Sequence, residues 1–169
     1  MNNLIQFDFS VNKETKTITV KREFAADLST VWNAFTKKEL LDQWWAPKPW
    51  KAKTIGLNFK VGELWNYVMQ GPNGEQHYCN FNYIKIENQK RFTGIAGFTD
   101  AEGNLNPEMP LPNWDINFID KNEKTLVEVF ISFDHLAQLE TIVNMGFKAG
   151  MTIAWQGLED FLSATKNNK

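Results

Sequence analysis

One cysteine, Cys79, stands in a chain of 169 residues, so no internal disulfide can staple the fold, and a structural zinc cluster is disfavoured. A reducing compartment suits such a composition. Histidine is equally scarce, with two in all. Positive charge is in no surplus: 18 Lys and Arg face 20 Asp and Glu, for a net charge of -2. A chain without a basic stripe has no electrostatic footprint for a phosphate backbone, and nucleic acid is not an expected partner. No segment is apolar enough to cross a bilayer, and the opening residues Met1 to Asp8 carry neither a basic n-region nor a long apolar stretch. The reading is of a cytoplasmic protein without membrane insertion. Also missing are a Gly-x-Ser-x-Gly elbow, a phosphate-cradling glycine loop and a His-Glu-x-x-His pair. With no repeat, low-complexity tract or shift in composition, residues 1–169 read as one domain, large enough to bury a core.

Aromatic residues are abundant: 13 Phe, 7 Trp and 3 Tyr. They fill space with few rotatable bonds. Trp44-Trp45-Ala46-Pro47 concentrates them at the end of a short helical pattern. The proline forbids continuation there, so a bulky apolar plug marks a helix-to-strand junction.

Around that plug the chain alternates with the period of a strand. Ile5, Phe7, Phe9 and Val11 are followed by a polar turn and by Ile18, Val20 and Phe24. Asp27 is placed to cap a helix carrying Leu28, Val31, Trp32 and Phe35. Thr36 and Glu39 have capping-box spacing for a second helix with Leu40, Leu41, Trp44 and Trp45. From Trp50 to Phe133 the pattern is strand and turn. Ile55 to Val61 runs up to Gly62, and Trp65 to Met69 runs up to Gly71-Pro72-Asn73-Gly74, whose Asn-Gly pair suits a tight reversal. Tyr78 to Ile86, Phe92 to Phe98, Trp114 to Phe118 and Val127 to Phe133 complete the strands. The loop from Asp100 to Pro112, rich in proline and without periodicity, is either a ligand-facing segment or a plain connection. Leu139 to Ala164 has helical spacing, with Phe147, Met151, Ala154, Leu158 and Phe161 on one stripe. Gly146, Gly150 and Gly157 lie within it. They imply a narrow face lying close to large sheet residues or leaving room for a ligand, with Gly146 alternatively marking a break between two helices.

Several segments together carry a resemblance. Thr30-Val31-Trp32-Asn33-Ala34-Phe35-Thr36, Trp44-Trp45-Ala46-Pro47, Val61-Gly62-Glu63-Leu64-Trp65, Phe98 to Gly103 and Met145 to Gly150 resemble, in order and spacing, the activator-of-Hsp-ninety-ATPase-like branch of the START-like superfamily (polyketide cyclase/dehydrase and lipid-transport proteins). A second glycine is common in that family where Glu63 stands. The resemblance covers about Ile18 to Leu162. It implies an α+β helix-grip fold: a curved antiparallel sheet wrapped around a long C-terminal helix, with two short helices after the first strand. It further implies a cavity between sheet and helix that takes lipids, hormones or polyketides in some members and supports cyclisation or dehydration in others.

The residues expected to line such a cavity are Trp45, the strand aromatics Trp65, Tyr67, Tyr78, Trp114 and Phe118, and Phe147, Gly150, Met151 and Trp155 from the last helix. Tyr67, Tyr78 and Asn80 are the polar groups that could orient a small apolar or amphipathic ligand. Plain core packing is the competing account of every aromatic among them. A catalytic set is harder to assemble. His77 and Cys79 share one strand face but fall short of a zinc ligand set. His135, beside Asp134, suits a helix cap or solvent. Glu63, Asp100, Glu102 and Asp115 form no visible acid/base couple, and Asp115 alternates outward. The expectation is therefore binding without a catalytic residue, metal or cofactor. Two alternatives remain open: a cyclase or dehydratase using polar groups of the cavity, and an interaction domain that meets a chaperone or a second copy through an exposed surface.

Overall fold

The computed structural model describes residues 7–167. Its elements run β1 (Asp8–Asn12), β2 (Thr17–Phe24), α1 (Leu28–Thr36), α2 (Lys38–Trp44), β3 (Lys51–Leu57), β4 (Leu64–Gln70), β5 (Gln76–Glu87), β6 (Arg91–Thr99), β7 (Asn113–Asp120), β8 (Thr125–Ser132), α3 (Leu136–Asn144) and α4 (Phe147–Asn167). The eight strands form one antiparallel sheet in the order β1-β2-β8-β7-β6-β5-β4-β3. Every neighbour but one is a sequential hairpin partner. The exception is β2 beside β8, where the sheet passes from its first strands to its last.

Alternation decides which face is covered. Ile18, Val20, Val127, Val129 and Ile131 are essentially without solvent exposure, and α4 lays Leu158 and Trp155 onto the core beside them. α1 contributes Val31, Trp32 and Phe35 at helical spacing, and Trp32 meets Phe118 edge-on at 5.0 Å. α2 is tied to α1 by the Trp44 indole, which donates to the Ala34 carbonyl at 2.9 Å. Turns occur where the backbone demands a left-handed residue: Gly74 has φ +87 between β4 and β5, and Asn122 has φ 69 between β7 and β8.

Local capping differs from expectation. Asp27 stands in extended geometry before α1, but its side chain makes no cap hydrogen bond. Thr36 is the last residue of α1 instead of the cap of α2, and its buried hydroxyl donates to the Trp32 carbonyl at 2.9 Å. A threonine buried at a helix end satisfies itself on its own turn, so the Thr36-Glu39 box does not form and Lys37 precedes α2. Of the first expected strand, Ile5 lies outside the described residues, while Phe9 and Val11 fall in β1.

Two strand readings shift for a shared reason. A bulge between Thr54 and Gly56 leaves Ile55 59 % exposed, and β3 ends at Leu57. Phe59 therefore sits in the following loop, tucked against Trp32, Tyr83 and Phe92. A second bulge between Tyr83 and Lys85 turns Ile84 outward. Each bulge inserts one residue and flips the parity of the residues beyond it. The C-terminal helical pattern is two helices, not one. Gly146 has φ +86 and donates to the Val143 carbonyl at 3.2 Å, closing α3 with a left-handed residue. The later glycines are not required by close approach to the sheet: an added Cβ at Gly150 would meet only Pro47, at an ordinary 3.8 Å, and one at Gly157 would meet open space.

Candidate functional site

β4 and β5 form the wall that matters. Trp65, Tyr67 and Met69 alternate onto the inner face of β4, and the Gly71–Gly74 turn brings Cys79 opposite Tyr67 and His77 opposite Met69. Cross-strand partners share a face, so all of these side chains point the same way. β6 pairs with β7 only as far as Ile95 opposite Asn113. Beyond it Ala96, Gly97 and Phe98 are left to line an opening, with the Ala96 N–H donating to the Pro112 carbonyl at 3.1 Å. α3 and α4 lie across this splayed end. The result is a pocket of about 290 Å³ bounded by the sheet on one side and by Ile142, Met145, Phe147, Gly150, Met151 and Ala154 on the other.

Six of the sequence-derived candidates line it: Trp45, Tyr67, Trp114, Phe147, Gly150 and Met151. The other five lie elsewhere. Trp155 is 1 % exposed and packs on Phe24 at 5.5 Å. Phe118 is wedged among Trp32, Phe35 and Phe92. Both belong to the end of the sheet that α1 fills. Tyr78 and Asn80 alternate with Cys79 and Phe81 and so pass to the opposite face; Tyr78 donates to Gln76 there at 3.2 Å. Trp65 shares the inner face with Tyr67 but stands one step further along β4, outside the pocket lining. Its ring stacks on Tyr67 at 4.1 Å and meets Trp45 at 5.1 Å.

A short polar relay fixes that indole. The Asp42 carboxylate accepts from the Thr54 amide at 2.9 Å and from the Thr54 hydroxyl at 2.7 Å, and the Thr54 oxygen accepts from the Trp65 indole at 3.0 Å. α2, β3 and β4 are thereby locked together next to Tyr67. Trp45, following α2, leans over the rim against Tyr67 at 6.3 Å and Trp114 at 6.0 Å. The Trp44-Trp45-Ala46-Pro47 plug thus divides its labour: Trp44 is 3 % exposed in the core, while Trp45 and Pro47 face the pocket.

His77 and Cys79, which share a face as expected, also line the pocket. The signal was the register across the Gly71–Gly74 turn, which sets them opposite Met69 and Tyr67. His77 is exposed and rests on Trp50 at 5.1 Å. Cys79 is buried, and burial pushes its thiol up to about 11, with the Tyr67 hydroxyl bond working weakly against that. The Tyr67 hydroxyl is held well above its ordinary value, first by burial and then by the neighbouring Cys79 thiol. Both groups are therefore neutral near pH 7.

The remaining polar candidates stand apart. Asp115 is turned outward but paired: Arg91 grips it with two bonds of 2.7 and 2.9 Å, which hold the guanidinium above its usual value. Asp100 is held below its ordinary value by hydrogen bonds from Asn104 and the loop backbone. His135 begins α3, where its N–H donates to Gln138 at 3.1 Å. No group of three His, Cys, Asp or Glu among the described residues could hold a metal ion. Among those same residues no helix is long and apolar enough to cross a membrane.

An eight-stranded antiparallel sheet gripping a long C-terminal helix, with two short helices inserted after β2, defines a helix-grip protein. Over residues 25–163 the chain matches the family model described as Activator of Hsp90 ATPase homolog 1-like protein, and it belongs to that family. Solved structures agree on the fold. Protein Ms6760 from Mycobacterium smegmatis is 22% identical with a TM-score of 0.86, the match covering 94% of this chain and 96% of that one. A protein from Arthrobacter aurescens is 24% identical with a TM-score of 0.88, covering 93% and 91%. The AHSA1 protein from Silicibacter pomeroyi is 14% identical with a TM-score of 0.71, covering 88% and 99%. Comparison with curated proteins gave no match.

Proposed function

We propose that this protein binds a small apolar or amphipathic molecule in the pocket between the sheet and α4. The observation that supports the reading is the wall itself. Indole, phenol, thioether and aliphatic groups surround about 290 Å³, near the lower end of the range in which small ligands are held. Burial of apolar surface, at roughly 25 cal/mol per Å², supplies the driving force. Gly150 favours the same reading, because a larger residue at that point of α4 would occupy the space.

The test is non-denaturing mass spectrometry of protein purified gently from its own cells, run beside the Gly150→Leu variant. The expected result is a discrete added mass on the wild type that disappears on denaturation and is lost in the variant. The same adduct retained by a folded Gly150→Leu protein would place binding elsewhere.

A further inference from the structure

The polar inventory of the pocket goes further than its size. Among the described residues its lining includes no Asp, Glu, Lys or Arg. His77 stands exposed at the rim against Trp50, and the Trp114 indole N–H is shielded from solvent and without a protein partner. Tyr67 also lines it, with Cys79 opposite on β5 and the Trp45 ring 6.3 Å away. An indole can only donate, and a thiol sulfur accepts weakly. Neither neighbour offers the Tyr67 hydroxyl hydrogen a strong acceptor.

Resting on the pocket-binding reading, we infer that the ligand is uncharged and carries one acceptor oxygen, of carbonyl or ether type, which takes the hydroxyl hydrogen of Tyr67. The ligand oxygen supplies the acceptor that the Cys79 sulfur is too weak to be. A carboxylate or phosphate would enter the same space without a cation to meet it, which makes burial of its charge strongly unfavourable. Burial holds the Tyr67 hydroxyl protonated well past neutrality, so the donor persists across the physiological range. Trp65, stacked on the Tyr67 ring and anchored through Thr54 to Asp42, fixes where that hydrogen points.

Three probes of matched shape test this by isothermal titration calorimetry: 2-acetylnaphthalene, 2-ethylnaphthalene and 2-naphthoate. The ketone is expected to bind about 2- to 10-fold more tightly than the hydrocarbon, the return on one neutral hydrogen bond. The carboxylate at pH 7 should be weaker than the ketone by on the order of 100-fold or more. Tyr67→Phe should abolish the preference, so that ketone and hydrocarbon bind that variant with equal affinity. Equal affinities for ketone and hydrocarbon on the wild type would overturn the ligand class while leaving the pocket reading intact. So would 2-naphthoate binding as tightly as the ketone. If neither neutral probe binds, the pocket reading falls and takes this inference with it. The wild-type comparison needs no variant, so a misfolded Tyr67→Phe protein would not shelter the proposal.

Discussion

The rings of Trp65 and Tyr67, two residues apart on β4, stack at 4.1 Å with an interplanar angle of 23°. The stack is held from behind by Thr54 and Asp42 and crossed from above by Trp45. Removing the carboxylate end of this relay should loosen the pocket wall without emptying the core. Asp42→Ala leaves the Thr54 amide without its partner, and a loss of about 1 to 3 kcal/mol is expected in urea denaturation. A change below about 0.3 kcal/mol would mean that the relay contributes nothing to stability.

The two tryptophans that looked alike in sequence should part company. Trp32 is 4 % exposed and packed among Phe59, Phe92 and Phe118, so Trp32→Ala should cost about 3 to 5 kcal/mol. Trp45 is half-buried at the pocket rim. Trp45→Ala, for which a buried position would imply a loss of the same size, should cost clearly less than Trp32→Ala. Chemical denaturation of both variants decides the order, and equal losses would contradict the rim placement.

Gly150 separates stability from binding. An alanine Cβ there meets only Pro47 at an ordinary 3.8 Å, so Gly150→Ala should raise stability by up to ~1 kcal/mol through helix propensity. Gly150→Leu should fold as well but weaken binding of 2-ethylnaphthalene at least 10-fold, the threshold calorimetry resolves easily. Destabilised alanine protein, or unaltered leucine binding, would show that this stretch of α4 does not border the pocket.

Alkaline pH should expose the buried thiol. In the folded protein Cys79 titrates at about 11 against an ordinary value of 9.0. The unfolded chain therefore releases its proton first, and the stabilisation present below pH 9 is lost as pH rises toward 11. The expected loss is on the order of 2 to 3 kcal/mol. Cys79→Ala should make the decline between pH 9 and 10 shallower without abolishing it, because Tyr67 and Tyr83, also held above their ordinary value of 10.0, lose stability over the same range. Urea midpoints across that window check the sign, and a wild-type stability that rises there would contradict the burial of the thiol.

How much of this was legible in the sequence depends on the range of the interaction involved. Element order was readable, because alternation in β4 to β8 and the helical stripe of α4 are local patterns, whereas the grip architecture was implied by the family resemblance. Trp45, Tyr67, Trp114, Phe147, Gly150 and Met151 followed from the same patterns. Tyr78 and Asn80 were assigned to the wrong face because the register across the Gly71–Gly74 turn, which puts Cys79 rather than Tyr78 opposite Tyr67, was not carried through. Phe118 and Trp155 lie on the inner side but at the end that α1 fills, a matter of tertiary placement that no local period reports. The bulges at Ile55 and Ile84 were invisible for a related reason. A single inserted residue preserves composition while reversing parity.

The central claim, a small molecule held in this pocket, is tested most directly by the methionine methyl groups. The chain has five methionines: Met69, Met145 and Met151 line the pocket, Met109 does not, and Met1 lies outside the described residues. In a proton–carbon NMR titration with 2-acetylnaphthalene, the methyl signals of Met69, Met145 and Met151 should shift together and saturate at one stoichiometric equivalent, with Met109 unmoved. Shifts confined to Met109, or no saturable shift in any of the three pocket methionines, would contradict the account.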